Sequence, residues 1–220
     1  MIQQIIKKIN CPNCNVENEV ILWEKVNVTM NPDLKEQLFE ETINNLQCGC
    51  GYKGRVDIPL YYNDAKKKFF VYLVPDFPMG AKEEEELLRN LDGETLHILD
   101  VGYDNKMRVV YDYFLMLEKI RIFDETLDDR GIEGCKILAR TQLKLMEGRA
   151  AFDRLDGDQL VFQFFAKEEK KASSSFEIPK AMYEEVMELI KVKDRQDPHG
   201  FRVIDVKYAV RMLMQKEQPA

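Results

Sequence analysis

Histidine is almost missing from this sequence: only His97 and His199 occur in 220 residues, and neither has a second histidine nearby. A His-based general base or a His-rich metal site therefore has little to rest on. Positive charge is also in deficit. Lys and Arg number 32 against 39 Asp and Glu, a formal net charge of −7, which opposes non-specific nucleic-acid binding because that is carried by phosphate neutralisation. No apolar run approaches the ~20 residues of a membrane span. Met1–Asn10 carries two lysines but lacks the apolar core of a secretory leader. G-x-S-x-G, H-E-x-x-H and the phosphate-binding G-x-x-x-x-G-K-[ST] are absent too. The expectation is a cytoplasmic chain, not bound to membrane, without the marks of the common hydrolase and nucleotide-binding classes.

Cysteine is scarce but concentrated. Four of the five fall in Cys11-Pro12-Asn13-Cys14 and Cys48-Gly49-Cys50-Gly51. Zinc takes four soft or borderline ligands in a tetrahedron, and two cysteines in a tight turn supply two corners at once. Pro12 stiffens the first turn by fixing φ. Gly49 and Gly51 suit the second, one residue shorter, because glycine tolerates the left-handed conformations such a turn demands. Cys11, Cys14, Cys48 and Cys50 thus read as the ligands of one structural zinc ion. Soft thiolate tetrahedra also hold iron, and spacing alone does not separate the two metals. A disulfide framework would need an oxidising compartment. A redox C-x-x-C would open a helix, which the polar run Asn15–Glu19 does not resemble. Four thiolates close the metal's coordination shell, so the site reads as support for folding rather than as a catalytic centre.

The two cysteine clusters, together with Val26-Asn27-Val28-Thr29, Asn31-Pro32-Asp33-Leu34-Lys35 and Ile58-Pro59-Leu60-Tyr61-Tyr62-Asn63-Asp64, resemble the CpXC domain family. Glu118–Asp124 and Leu127-Asp128-Asp129 resemble the region that follows the domain in such proteins. The family is a bacterial and archaeal group without an assigned function. The resemblance implies a zinc-binding module over roughly residues 8–75 and no known chemistry.

Taken in order, Ile2–Ile9 reads as a strand entering the first cysteine turn, and Glu19–Met30 as one longer strand. Asn31-Pro32 opens a short helix that turns Leu34 and Leu38 inward. Arg55–Leu60 and Phe69–Val74 read as strands, with Tyr61–Asp64 as a turn and Lys66–Lys68 as a solvated face. Pro75–Gly80 breaks the pattern, dividing a zinc-binding domain at 1–76 from a C-terminal α+β region at 77–220. Beyond it, Glu83–Leu91 reads as a helix and Leu96–Val101 as a strand. Residues 106–124 read as a helix striped by Tyr113, Met116, Leu117, Ile120 and Phe123, and Cys135 lies on the apolar face of the next helix. In the acidic turn between them, Asp128 or Asp129 reads as a helix cap ahead of a cation site. Asp156-Gly157-Asp158 marks a hairpin, Pro179 opens a helix, and Asp205 caps the last one.

The fold class is therefore α+β: a zinc-ribbon-like antiparallel module with an inserted helix, followed by a helical hairpin and a β-hairpin/helix region. The functional expectation is a non-enzymatic binding or scaffold protein with a protein partner. Zinc-ribbon nucleic-acid binding is one alternative, disfavoured by charge. An enzyme with its site in the C-terminal half is the other, though no catalytic residue is singled out.

Overall fold

The structure is a computed structural model that describes residues 4–75, 80–98, 106–143, 147–167, 169, 171–194 and 200–214. Among the described residues it is an α+β fold of six helices and several mainly antiparallel sheets. Among the described residues no helix is long and apolar enough to cross a membrane. The chain forms two compact units: Met1–Leu117 with His199–Phe201, and Glu118–Pro198 with Arg202–Ala220.

The first unit begins with two antiparallel hairpins. β1 (Gln4–Asn10) pairs with β2 (Glu17–Trp23), Gln4 opposite Trp23 and Asn10 opposite Glu17. The strand period of two sends Val20 and Leu22 inward and leaves Ile21 exposed between them. β3 (Lys25–Asn27) and α1 (Asp33–Phe39) follow, and α1 buries Leu34 and Leu38 as its spacing predicts. The second hairpin is β4 (Asn45–Gln47) with β5 (Lys53–Arg55). Val20, Leu22 and Leu46 form a small core between the hairpins, with Ile5, Ile9, Tyr52, Val56 and Ile58 packed around it.

Asn44 fixes how the hairpins meet. It is buried and sits at φ 54°, a conformation asparagine tolerates better than most residues. Its side-chain oxygen accepts from the Trp23 N–H at 2.6 Å and its nitrogen donates to the Trp23 carbonyl at 2.9 Å, so one amide stands in for a β-bridge. The expected single strand Glu19–Met30 accordingly splits. β2 stops at Trp23, and the chain passes into a different sheet as β3.

That sheet continues with β6 (Leu60–Asp64), β7 (Phe69–Leu73), β8 (Lys106–Val110) and, at its edge, β12 (Phe201–Arg202), in the order β12-β8-β7-β6-β3. Tyr61–Asp64, expected as a turn, is strand, because Tyr62 buries against Phe69 and Tyr61 stacks on Tyr72 at 3.9 Å. The turn comes later. Asp64 Oδ1 accepts the Lys66 and Lys67 N–H groups, and Lys66–Lys68 stay exposed. α2 (Ala81–Ile98) absorbs Leu96–Ile98, expected as strand; the remainder of that stretch lies outside the described residues. Asp92 on α2 accepts the Phe201 N–H at 2.8 Å. The helix expected from about residue 106 starts instead at Tyr113, as α3 (Tyr113–Asp124), with Asp112 accepting the Phe114 N–H. Met107, Val109 and Val110 are buried in β8; a short apolar run of this kind fits either period.

The second unit takes up α3 from Glu118 and adds α4 (Asp129–Gln142), β9 (Arg149–Asp156), β10 (Gln159–Phe165), β11 (Ser174–Pro179), α5 (Lys180–Lys193) and α6 (Val206–Met214). The caps follow the sequence. Asp128 accepts the Arg130 N–H at the start of α4, Pro179 precedes α5, and Asp205 accepts the Tyr208 N–H in α6. The acidic turn is thus a helix cap. Gly157, at φ 57°, makes the tight turn between β9 and β10. Cys135 is buried, as its place on the apolar stripe predicts.

The core of this unit also holds a line of charges of alternating sign. Asp129 meets Lys119 at 3.0 Å, and Glu133 lies 3.3 Å from Lys119 and 3.0 Å from Lys136. Lys136 in turn meets Glu118 at 2.7 Å. Glu118 also accepts the Phe152 N–H of β9, and Lys119 donates to the Ile204 carbonyl ahead of α6. The network therefore ties together α3, α4, β9 and the approach to α6.

Candidate metal centre

Each cysteine pair occupies the loop of one hairpin. In the first, Cys11 N–H donates to the Val16 carbonyl and Asn15 N–H returns to the Cys11 carbonyl, closing a four-residue step. In the second, Cys48 N–H donates to the Tyr52 carbonyl and Gly51 N–H returns to the Cys48 carbonyl, closing a three-residue step. The hydrogen-bond plan is the same with one residue removed. The C-x-C spacing is absorbed by a tighter turn, and both sulfurs still reach the centre.

The left-handed residue also occupies equivalent places. Asn15, one after Cys14, sits at φ 59°, and Gly51, one after Cys50, at φ 90°. Gly49 does not use a left-handed conformation, so only Gly51 carries the conformational role expected of that pair. Asparagine is one of the few side chains that tolerate this region, which is why it serves at 15.

The four Sγ atoms of Cys11, Cys14, Cys48 and Cys50 all lie within 4.8 Å of one another. Two approaches run between hairpins: Cys11 to Cys50 at 3.6 Å and Cys14 to Cys48 at 3.5 Å. A tetrahedral ion with metal–sulfur bonds near 2.3 Å has sulfur–sulfur edges of about 3.8 Å. The donor set and its spacing therefore fit a metal ion held by four thiolates. Cys11 is buried at the base, while Cys14 and Cys50 are exposed at the tip.

Donors surround the sulfurs. The Asn13 amide donates to Cys50 Sγ at 3.5 Å and the Asn18 amide to Cys48 Sγ at 3.7 Å. The Asn13 amide and then the Tyr52 N–H pull the Cys50 thiol down to about 6. The Cys50 N–H lowers Cys48 against the opposing effect of burial. Cys14 receives the Val16 N–H, yet the neighbouring Cys48 and Cys50 sulfurs push it up to about 12. Within the cluster the Cys48 and Cys50 thiols are thus lowered and the Cys14 thiol is raised, as expected where N–H donors favour some thiolates and crowded sulfurs disfavour another.

Sequence reasoning found all four cysteines. It missed Asn13, Asn15, Asn18 and Asn44, each of which orients a loop or a sulfur. Asn13 carried a signal, since it lies inside the C-x-x-C turn. Asn18 and Asn44 had none, because a lone asparagine between strands reads as an ordinary loop residue. His199, one of the two histidines, lies outside the described residues.

The family model described as CpXC protein matches residues 9–136, more than half of the chain. No curated protein and no solved structure matches it.

Proposed function

This chain belongs to the CpXC family, and we propose that its four cysteines hold one structural zinc ion that locks two hairpins into a platform for a protein partner. The observation that carries the metal reading is the convergence of two independent hairpin loops on one point, with sulfur spacings suited to a tetrahedron. Zinc is favoured because it is the common occupant of closed four-thiolate sites and needs no redox partner.

The role follows from the size of the core. Among the described residues the core between the hairpins has three buried members, Val20, Leu22 and Leu46, and cores this small ordinarily need a metal or disulfides to stay folded. Binding free energy at such a site is folding free energy. Four thiolates leave no open position for water or substrate, so the ion supplies no Lewis-acid chemistry. Cys11 and Cys14 from the first hairpin and Cys48 and Cys50 from the second would hold it.

A protein partner is supported by the outer face of the first hairpin. Ile6 and Ile21 stand directly opposite each other there and are 69% and 58% exposed. An apolar cross-strand pair on an acidic protein suits a protein surface better than a phosphate backbone.

The test is metal content by mass spectrometry of tag-free protein purified without added metal, beside Cys50→Ser and Ile21→Lys. One equivalent of zinc, lost in Cys50→Ser and kept in Ile21→Lys, supports the metal reading. Loss of a co-purifying protein from Ile21→Lys, with its zinc intact, supports the platform. A folded, metal-free wild-type chain would refute the first, and a partner retained by Ile21→Lys would refute the choice of face.

A further inference from the structure

Both side-chain amides that reach the sulfurs come from the first hairpin, and both of the sulfurs they reach belong to the second. Asn13 crosses to Cys50 and Asn18 crosses to Cys48. We infer that Asn13 and Asn18 are the positioning residues of the metal centre: they aim the shortened Cys48/Cys50 pair, draw charge from its thiolates and set how tightly the ion is held. The inference rests on the four-thiolate reading above.

The orientation of the Asn18 amide is fixed by its second bond. The same nitrogen donates to the Val16 carbonyl at 2.7 Å. A reversed amide would set two oxygens against each other at that distance, so the nitrogen is the atom that faces Val16 and Cys48. An amide nitrogen has two hydrogens, one for each acceptor. The Val16 carbonyl also accepts the Cys11 N–H at 2.9 Å. One carbonyl of the first loop thus orients Cys11 of its own hairpin and, through Asn18, Cys48 of the other.

The chemistry gives these bonds a purpose. Four thiolates around a divalent cation leave a net negative charge in a small volume. Each N–H···S bond draws electron density from a sulfur, which stabilises it as a thiolate and lowers the energy of the lone pair it shares with the metal. The second loop most needs such help. It closes on three residues rather than four, and Cys50 is exposed. Asn13 sits on that exposed side with its amide against Cys50 Sγ.

The experiment uses the full chain and its Asn13→Leu, Asn18→Leu and Asn13→Gln variants, each loaded with cobalt(II) and separately titrated with zinc against a chelator. Loss of an outer hydrogen-bond partner typically costs about 10- to 100-fold in metal affinity, so each Leu variant should bind zinc weaker by that factor, with Asn13→Gln recovering part of the loss. The sulfur-to-cobalt charge-transfer band should move to longer wavelength in each Leu variant, because a thiolate freed of its donor gives up an electron more easily. A merely structural asparagine would leave that band in place. Leu variants with wild-type band positions and zinc affinity would overturn this inference alone. A wild-type chain with no such band would overturn the four-thiolate reading and this inference with it.

Discussion

Lys136 on α4 is clasped by both carboxylate oxygens of Glu118 on α3, at 2.7 and 2.8 Å, with the two side chains only 4% and 2% exposed. Burial alone would drive the lysine towards its neutral form, but Glu118 and then Glu133 hold its pKa well above the ordinary value. Lys136→Met would leave both carboxylates without their shared cation. Breaking a buried pair by removing one partner typically costs ~3–5 kcal/mol, and that is the loss expected in urea unfolding followed by circular dichroism. A cost within ~0.5 kcal/mol, as for an ordinary surface substitution, would mean that the network does not hold the second unit together.

Gly134 lies where α5 packs closely against α4. A Cβ there would lie 2.5 Å from Val186 Cγ1, and valine has little rotamer freedom with which to retreat. Alanine would gain up to ~1 kcal/mol in helix propensity, but overpacking costs ~1–3 kcal/mol. Gly134→Ala should therefore be net destabilising, seen as a lower urea midpoint with an unchanged slope. A higher midpoint would contradict the packing described here.

Cys135 provides a pH test. Burial pushes its thiol up from 9.0 to about 12. The folded-state value is raised, so the stability it contributes is complete below the unfolded value and is lost as pH rises from 9.0 towards about 12. Cys135→Ala should flatten the fall in stability over that window relative to wild type. In native protein the Cys135 thiol should also stay inert to a thiol reagent until the second unit opens. A fast-reacting Cys135 would show the site to be more open than described.

The parts legible in the sequence are those where one residue type has one use. Four clustered cysteines predicted one centre, Asp128, Pro179 and Asp205 marked helix starts, and Asp156-Gly157-Asp158 marked a hairpin. The parts that were not legible depend on tertiary context. Lys106–Val110 has no side-chain feature that separates a buried strand from a helical turn; only its place beside Phe69–Leu73 makes it β8. Glu118, Lys119, Glu133 and Lys136 carry no signal of burial, because nothing local states that two helices will bury them against each other. Asn44 ends β2 by pairing with Trp23, 21 residues away, a relationship no local pattern encodes. At the candidate metal centre the clustering of Cys11, Cys14, Cys48 and Cys50 was readable, while Asn13 and Asn18 became visible only once the second hairpin lay beside the first.

The most direct measurement is X-ray absorption at the zinc edge on the full chain purified without added metal. A closed centre formed by Cys11, Cys14, Cys48 and Cys50 predicts a single shell of four sulfurs at about 2.3 Å and no nitrogen or oxygen neighbour. A shell with fewer sulfurs completed by lighter atoms, or a folded protein with no zinc edge at all, would contradict it.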